Sequence, residues 1–540
     1  MIDKTVKFDI ETFTDGEKAI LNRYFTNTDK AVFGLINLPD VVKGALFARY
    51  SRSGKSLRRL FLDEFYTGVS NAQKSVNVDV GIHRASLLYD RMILDFGDDS
   101  VAQLGGAHIA CEQVSNVLTK ILEKGRLAAY LEQSTRYIYY NEKIDGKYRY
   151  MIPPEIADSK HEKEYCKYMD SLFDTYTEIQ RQILPVLEKK YPAGEQSERA
   201  WKSTIKAKAC DIVRGLLPAA TRSNLGIFAN GQTFEYLLIK MFASNNAEVI
   251  AFADMMLEEL RKIIPAFLTR VDLDDRGKLW SNYLKTIEQE LKQTLAKTVA
   301  CNQPKQELNT VELIDWDDDA LDKVLQSVIF EYSFASSDET ANMLKNMTET
   351  EKIDMLKKYC GNRSNRRHKP GRAFENTSYK FEILSDYGAF RDLQRHRILT
   401  ILWQKLSPAN GYVVPCELEE FPQLKSLYEN ALHGAENIYN SLKTDFGDDI
   451  AQYVIPFAYR VRYEISMNLR EAIHFIELRS QKQGHSSYRQ ISVDMYNLIA
   501  QKAKHQYFTN CMKFVDTNFY ELAREDAENR KDLKINDKIK

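Results

Sequence analysis

Pro218 stands twelve residues before Asn230, and Pro456 stands twelve residues before Asn468. Each Asn opens an amphipathic run of matching length, NGQTFEYLLIKM (230–241) and NLREAIHFIELR (468–479). Six residues past Met241 and Arg479 a further helix begins in both places. Val249, Phe252, Ala253, Met256, Leu257 and Leu260 form the apolar stripe of the first, and Ile491, Met495, Leu498, Ile499 and Ala503 that of the second. The methionines read as core filler. ALFARYSR (45–52) and VIFEYSFA (328–335) add an earlier similarity. Several matches in one order imply a tandem duplication, with copies over 1–270 and 305–540. Between them, over 271–304, Trp280, Leu284, Ile287, Leu291 and Leu295 predict a connector helix, followed by the loop-like CNQPKQ. Copy one carries extra chain over about 138–205, where Asp145-Gly146 between aromatic-rich runs predicts a hairpin. The charged tail EDAENRKDLKINDKIK is expected to fray.

Bulk properties narrow the class. A net charge of −1 argues against a nucleic-acid-coating protein. No run approaches about 20 apolar residues, so a membrane-spanning helix is not expected. Seven scattered cysteines without a CxxC pair, and an N-terminus without the apolar core of a secretion signal, predict a reducing, cytoplasmic setting. The nine histidines show no HxxxH or HExxH pairing, so no protein-built metal site is expected. GKS at 54–56 lacks the glycine a phosphate-binding Walker loop needs five residues earlier, since position 49 is Arg.

The stretch FRDLQRHRILTILWQ (390–404) sets Arg395, His396 and Arg397 beside an apolar run. On a helix the three would point about 100° apart and could not share one wet stripe. They therefore call for anionic partners, since desolvated charge is costly alone. Those partners could be Asp386, Asp392 or another carboxylate, or an anionic ligand.

Arg395-His396-Arg397 resembles the start of the RHR-x7-S motif of flavin-dependent thymidylate synthases, the ThyX family. His368-Lys-Pro-Gly-Arg-Ala-Phe-Glu375 lies where that family has its H-x-S/T-P-x-E-H stretch. NLREAIHFIELR is similar to its N-x-R-x5–7-L-R helix, and HSSYR (485–489) sits where it has AQ-x-E-I-R. Copy one holds the complementary half in KGRLAAYLEQSTRY (124–137). There Lys124-Gly125-Arg126 replaces RHR, while Ser134, Thr135, Arg136 and Tyr137 keep the family's ending. Copy two has Lys405 at the serine position, and copy one has Gln232 and Met241 in place of Arg470 and Arg479.

The resemblance implies an α/β (α+β-type) protein of two tandem domains, each a mainly antiparallel sheet packed with long helices. It implies FAD-dependent methylation of dUMP to dTMP, with methylenetetrahydrofolate and NADPH as co-substrates. Arg395, His396 and Arg397 would be catalytic and would bind flavin with His368, Glu375, Asn468 and Arg470. Arg126, Glu132, Ser134, Arg136, Arg479 and Arg489 would hold the nucleotide. His474, on an apolar face, reads as a core histidine. ThyX enzymes are homotetramers with sites between subunits, so a dimer of a doubled chain would mimic the tetramer. Each site would then be a composite of both copies. A non-catalytic or altered descendant that binds flavin or nucleotide without making dTMP is the alternative that the broken motifs allow.

Overall fold

Asn230 and Asn468 each end a strand and begin a helix. The side-chain oxygen of Asn230 accepts from the Thr233 amide at 2.9 Å, and that of Asn468 from the Glu471 amide at 2.9 Å. Both are N-caps, which satisfy a backbone donor that the first helical turn leaves orphaned. The computed structural model describes residues 11–50, 53–66, 101–194, 196–298 and 310–539.

Two antiparallel sheets carry the chain's strands. In the first, β1 (Gly106–Ser115), β2 (Ala128–Glu132) and β3 (Arg222–Asn230) lie in the order β1-β3-β2. In the second, β4 (Thr310–Trp316), β5 (Ser378–Asp386), β6 (Thr400–Trp403) and β7 (Arg460–Asn468) lie in the order β4-β5-β7-β6. Apart from β4, the order and connections are the same. A strand leads through a seven-residue helix, Asn116–Leu122 or Tyr387–Leu393, to a short strand. After a helical excursion the chain returns as the central strand, β3 or β7, then enters the helices Gly231–Phe242 and Ala247–Ile263, or Leu469–Arg479 and Ser486–Gln501. Side chains alternate along the central strands. Leu225, Ile227 and Ala229 are buried on β3, and Val461, Tyr463, Ile465 and Met467 on β7. Met241, Met256 and Met495 are buried as the apolar stripes require.

The described residues form two compact units. One takes those of 1–112, 127–132 and 224–300; the other takes those of 113–126, 133–223 and 301–540. In the first, Leu225, Ile227, Phe234, Leu238, Val249, Met256, Leu260 and Phe267 are buried. The core of the second runs from the 29-residue helix Glu162–Lys190 and the helix Pro422–Phe446 to the β4-β5-β7-β6 sheet.

Inside the second unit, the segments around Pro218 and Pro456 pair antiparallel. The Ala219 amide donates to the Ile455 carbonyl at 2.8 Å, and the Phe457 amide to the Leu217 carbonyl at 2.9 Å. Ala220 to Tyr453 and Ala458 to Gly215, both 2.9 Å, form a second such pair. Pro218 and Pro456 lie 238 positions apart, as do Asn230 and Asn468. Each hydrogen bond therefore maps onto the other of its pair when the two halves of the sequence are exchanged. That reciprocity is the signature of a two-fold interface between like subunits, here within one chain.

Three expectations change. The RHR stretch is not helical: the Tyr387–Leu393 helix stops before it, and the chain turns through 394–399 into β6. Asp386 caps that helix by accepting from the Ala389 amide, and the cations follow its negative end, where positive charge is favoured. Asp145-Gly146 makes a tight turn with φ of 51° and 77°, but only the Ile144–Lys147 bridge closes it, so the hairpin has no strands. The tail does not fray. Glu525–Ile539 is a helix packed on the helix Glu198–Val213, with Lys482 paired to Asp526 at 2.6 Å. The connector helix spans Gly277–Thr298, while CNQPKQ lies outside the described residues.

Candidate functional site

Two largely buried carboxylates organise the site, and both belong to the second unit. Asp392, in the last turn of the Tyr387–Leu393 helix, pairs with Arg395 and lies 3.7 Å from Arg214. Asp211, near the end of the Glu198–Val213 helix, receives both arms of Arg136, Nε and Nη2, at 2.6 Å each. Burial alone would raise the Asp392 carboxyl. Instead Arg395, Arg214, Arg479 and Arg136 together hold it well below the ordinary carboxylate range. Burial likewise works against ionised Asp211, yet Arg136 holds it at about 2. Four guanidinium groups thus bear on one carboxylate, with a second carboxylate beside them. The cluster carries a surplus of two positive charges in a desolvated setting, as an oxyanion site requires.

These arginines come from both halves of the sequence. Arg136 and Arg214 belong to copy one, and Arg395 and Arg479 to copy two. The positions equivalent by spacing are Ser407, Gln452, Lys124 and Met241. Only one of the two possible sets keeps all four guanidiniums.

His396 is buried and is not a cation. Its Nε2 accepts from Arg479 Nε at 2.8 Å, which leaves the proton on Nδ1, facing Glu471 Oε1 at 3.1 Å. Burial, with Arg479 next in effect, pushes the imidazole well below its usual range. Glu471 sits in the first turn of the Leu469–Arg479 helix, and burial raises its carboxyl to about 7. His474, one turn on, is lowered to about 4 by burial and by Lys369, Arg366, Arg479 and Arg470. His396, Glu471 and His474 offer donor atoms within 4.8 Å of one another, a grouping that the sequence hid because His396 arrives from another segment. Two features oppose a cation there: the surrounding arginines and lysine, and the Arg479 bond, which puts the imidazole proton on the nitrogen facing Glu471.

A pH prediction follows from Glu471. The folded chain holds its proton up to about pH 7, while the unfolded chain releases it near 4.5. Glu471 therefore makes stability fall as pH rises from about 4.5 to 7. Glu471→Gln removes that fall, so the stability difference between variant and parent is expected to shift in the variant's favour by about 2.5 kcal/mol between pH 5 and pH 8. Urea unfolding of both proteins at the two pH values checks it.

The remaining expected residues divide. Ser134 is a turn hydroxyl whose oxygen accepts from the Arg136 amide at 3.2 Å. Arg126 is exposed and donates to Thr400 at 3.1 Å, and Arg397 is also exposed. Glu132 ends β2, in the first unit. Asn468 serves as the helix cap described above. Arg470 reaches the Pro370 carbonyl at 2.9 Å and Glu375 at 3.1 Å. His368 is exposed and held within its own loop by Ser364 and Asn365. Arg489 is buried and spends its donors on the Ser480 and Asn518 carbonyls, at 2.9 and 2.8 Å. The motif comparison passed over Arg214, Asp211, Arg363 and Glu471. Arg214 had a signal: it precedes Asn230 by sixteen residues, where the other copy has Gln452 before Asn468.

A cavity of about 390 Å³ adjoins the cluster and shares Asp211 and Arg214 with it. His485, Ser486 and Ser487, at the start of the Ser486–Gln501 helix, form one wall, and residues 517–524 another. Burial lowers His485 to about 4, so it faces the cavity uncharged at neutral pH.

Among known proteins, the model of the family "Thymidylate synthase complementing protein" matches residues 57–266 and again 312–503. The chain is 37% identical to the UPF0159 protein of Chlamydia muridarum, over 96% of this chain and 98% of that one. It is 33% identical to the UPF0159 protein Ta1429 of Thermoplasma acidophilum, over 91% and 99%. A flavin-dependent thymidylate synthase of Clostridium tetani is 28% identical over 32% of this chain and 66% of its own.

Proposed function

The chain belongs to the thymidylate synthase complementing protein family, matched twice along its length, and from that premise we propose that it methylates a pyrimidine nucleotide, converting dUMP to dTMP at one composite site per chain. The observation that carries this reading is the cluster in which Arg395 and Arg214 meet Asp392, Arg136 clamps Asp211, and Arg479 and Arg136 add their charge to Asp392. A nucleoside monophosphate brings the two negative charges that this cluster lacks. Likeness to the Clostridium tetani flavin-dependent enzyme supports the reaction class.

The residues around the RHR turn suit a flavin. Lys369, Arg366, Arg470 and Arg479 all act on His474, and that concentration of positive charge fits a diphosphate. Lys369, Arg470 and Arg397 would hold FAD from this side. When bound, it supplies the hydride chemistry, with NADPH as reductant and methylenetetrahydrofolate as carbon donor. The chain's own contribution is positioning and electrostatics. Arg395 and Arg479 stabilise negative charge that develops on the pyrimidine carbonyls. Neutral His396 keeps its proton on Nδ1 under the grip of Arg479 and directs it at the Glu471 carboxyl oxygen, which fixes the orientation of the ring.

A second reading, nucleotide binding without methylation, is favoured by Asp211 and Asp392, which already engage these arginines. One assay separates the two. The purified protein is expected to show a flavin spectrum, dUMP-stimulated NADPH oxidation, and dTMP when methylenetetrahydrofolate is present. Flavin and dUMP binding without dTMP would favour the second reading. A protein that takes up no added FAD would sink the flavin-dependent reading outright.

A further inference from the structure

The cavity beside the arginine cluster contains buried donors that the protein leaves unmet. Arg214 is 4% exposed and its Nη2 has no hydrogen-bond partner among the described residues. Arg524 is 9% exposed and its Nη1 has none either. Both line the cavity. The cavity's four acids are engaged elsewhere: Asp211 by Arg136, Glu417 by Lys208, Asp386 by the Ala389 amide and the Ser487 hydroxyl, and Glu521 by the Tyr191 hydroxyl. Burying a guanidinium N–H without an acceptor is costly, and an oxyanion in the cavity would relieve both. The Ser486–Gln501 helix starts at the same wall and presents its positive end there. Gly388 keeps room for Arg214, since a Cβ at that position would lie 3.3 Å from Nη2.

Arg524 arrives from a part of the chain that the family match does not reach, because that match ends at residue 503. The segment is nonetheless fastened to the site. Arg489 holds the Asn518 carbonyl, and the Arg524 guanidinium lies 3.7 Å from the centre of the Tyr137 ring and donates to that tyrosine's hydroxyl.

We propose that residues 517–524 form a wall of a phosphate-binding cavity, in which Arg524 acts with Arg214 and the start of the Ser486–Gln501 helix to hold a phosphoryl group. The proposal rests on the nucleotide reading for what carries that phosphate, the monophosphate of a nucleotide; a flavin diphosphate in this cavity, instead of beside Lys369 and Arg470, is the other outcome that the test below distinguishes. Arg524 is then a specificity residue particular to chains with this C-terminal segment.

Calorimetric titration of the full chain, Arg524→Gln and Arg524→Lys with dUMP, deoxyuridine, FAD and riboflavin tests it. Losing one charge-assisted contact is expected to weaken a phosphate-bearing ligand about tenfold or more. Deoxyuridine and riboflavin should bind as before, and Arg524→Lys should recover part of the loss. A loss confined to dUMP identifies the nucleotide phosphate as the occupant, and one confined to FAD identifies the flavin diphosphate. Inorganic phosphate should raise the melting temperature of the parent and not of Arg524→Gln, at matched ionic strength. Equal affinities in parent and Arg524→Gln, equal weakening of dUMP and deoxyuridine, or no phosphate-induced shift in the parent would overturn the proposal. A phosphate-induced shift without any dTMP formation would leave the cavity assignment standing and defeat the methylation reading alone.

Discussion

Replacing Arg136 by methionine is expected to lower stability by about 3 kcal/mol at neutral pH, because it leaves a largely buried carboxylate without its cation. Asp211 is held at about 2 in the fold, against an ordinary 3.8. That depressed value contributes stability which is present above about pH 4 and is lost as pH falls through about 2. The gap between parent and variant should therefore close toward pH 2. Adding Asp211→Asn removes the stranded charge and should restore most of the stability at neutral pH. It should not restore nucleotide binding, because the guanidinium stays absent. Urea midpoints for the single and double variants, beside dUMP titrations of both, separate the structural role of Arg136 from its ligand role. Recovery of dUMP affinity in the double variant would show that Arg136 only anchors a helix.

Arg363→Ala is expected to have a larger effect, about 4 kcal/mol, near the middle of the range for breaking a buried ion pair. Arg363 and Glu477 have side chains 3% and 1% exposed and join through two bonds of 2.7 and 2.6 Å. The same guanidinium donates to the Cys511 carbonyl at 2.9 Å and the His368 carbonyl at 2.5 Å. It thus ties the loop that carries His368 to the helix that carries Arg470 and Arg479. Burial pushes the Glu477 carboxyl up even with Arg363 present, so without its partner Glu477 should keep its proton further into the neutral range. The variant's deficit should accordingly grow as pH rises. Flavin affinity should fall more than dUMP affinity, since the loop faces the His474 side of the site. A midpoint within experimental error of the parent would mean that this pair does not hold the loop.

What the sequence disclosed and what it withheld divide along a physical line. The duplication was legible because caps, prolines and apolar stripes recur at fixed spacing. Asn230 and Asn468 are local signals, and the structure uses both as helix caps. The helices follow from the apolar stripes, whereas the antiparallel sheets are implied by the family resemblance and by no strand periodicity. Pairings between distant segments were not legible. Arg136 meets Asp211 across 75 residues, and His396 meets Glu471 across another 75. Nothing local marks Asp211 as a partner, and three adjacent cationic letters did not reveal that the middle one is a neutral imidazole between Arg479 and Glu471. The RHR stretch resembled part of a helix because apolar residues flank it. Ile398 is 66% exposed, and Ile401 and Trp403 serve β6 instead. The tail read as fraying because its composition is charged, yet Glu528 and Asp532 are buried.

The reciprocal hydrogen bonds around Pro218 and Pro456 give the doubled chain its own two-fold contact, and of the two sets of positions related by the repeat only one holds all four arginines. Counting the nucleotides bound by the purified protein tests that claim most directly. Calorimetric titration with dUMP is expected to give one nucleotide per chain, with binding lost on either Arg136→Met or Arg395→Met. Two nucleotides per chain, or undiminished binding in both variants, would contradict a site assembled from the two halves.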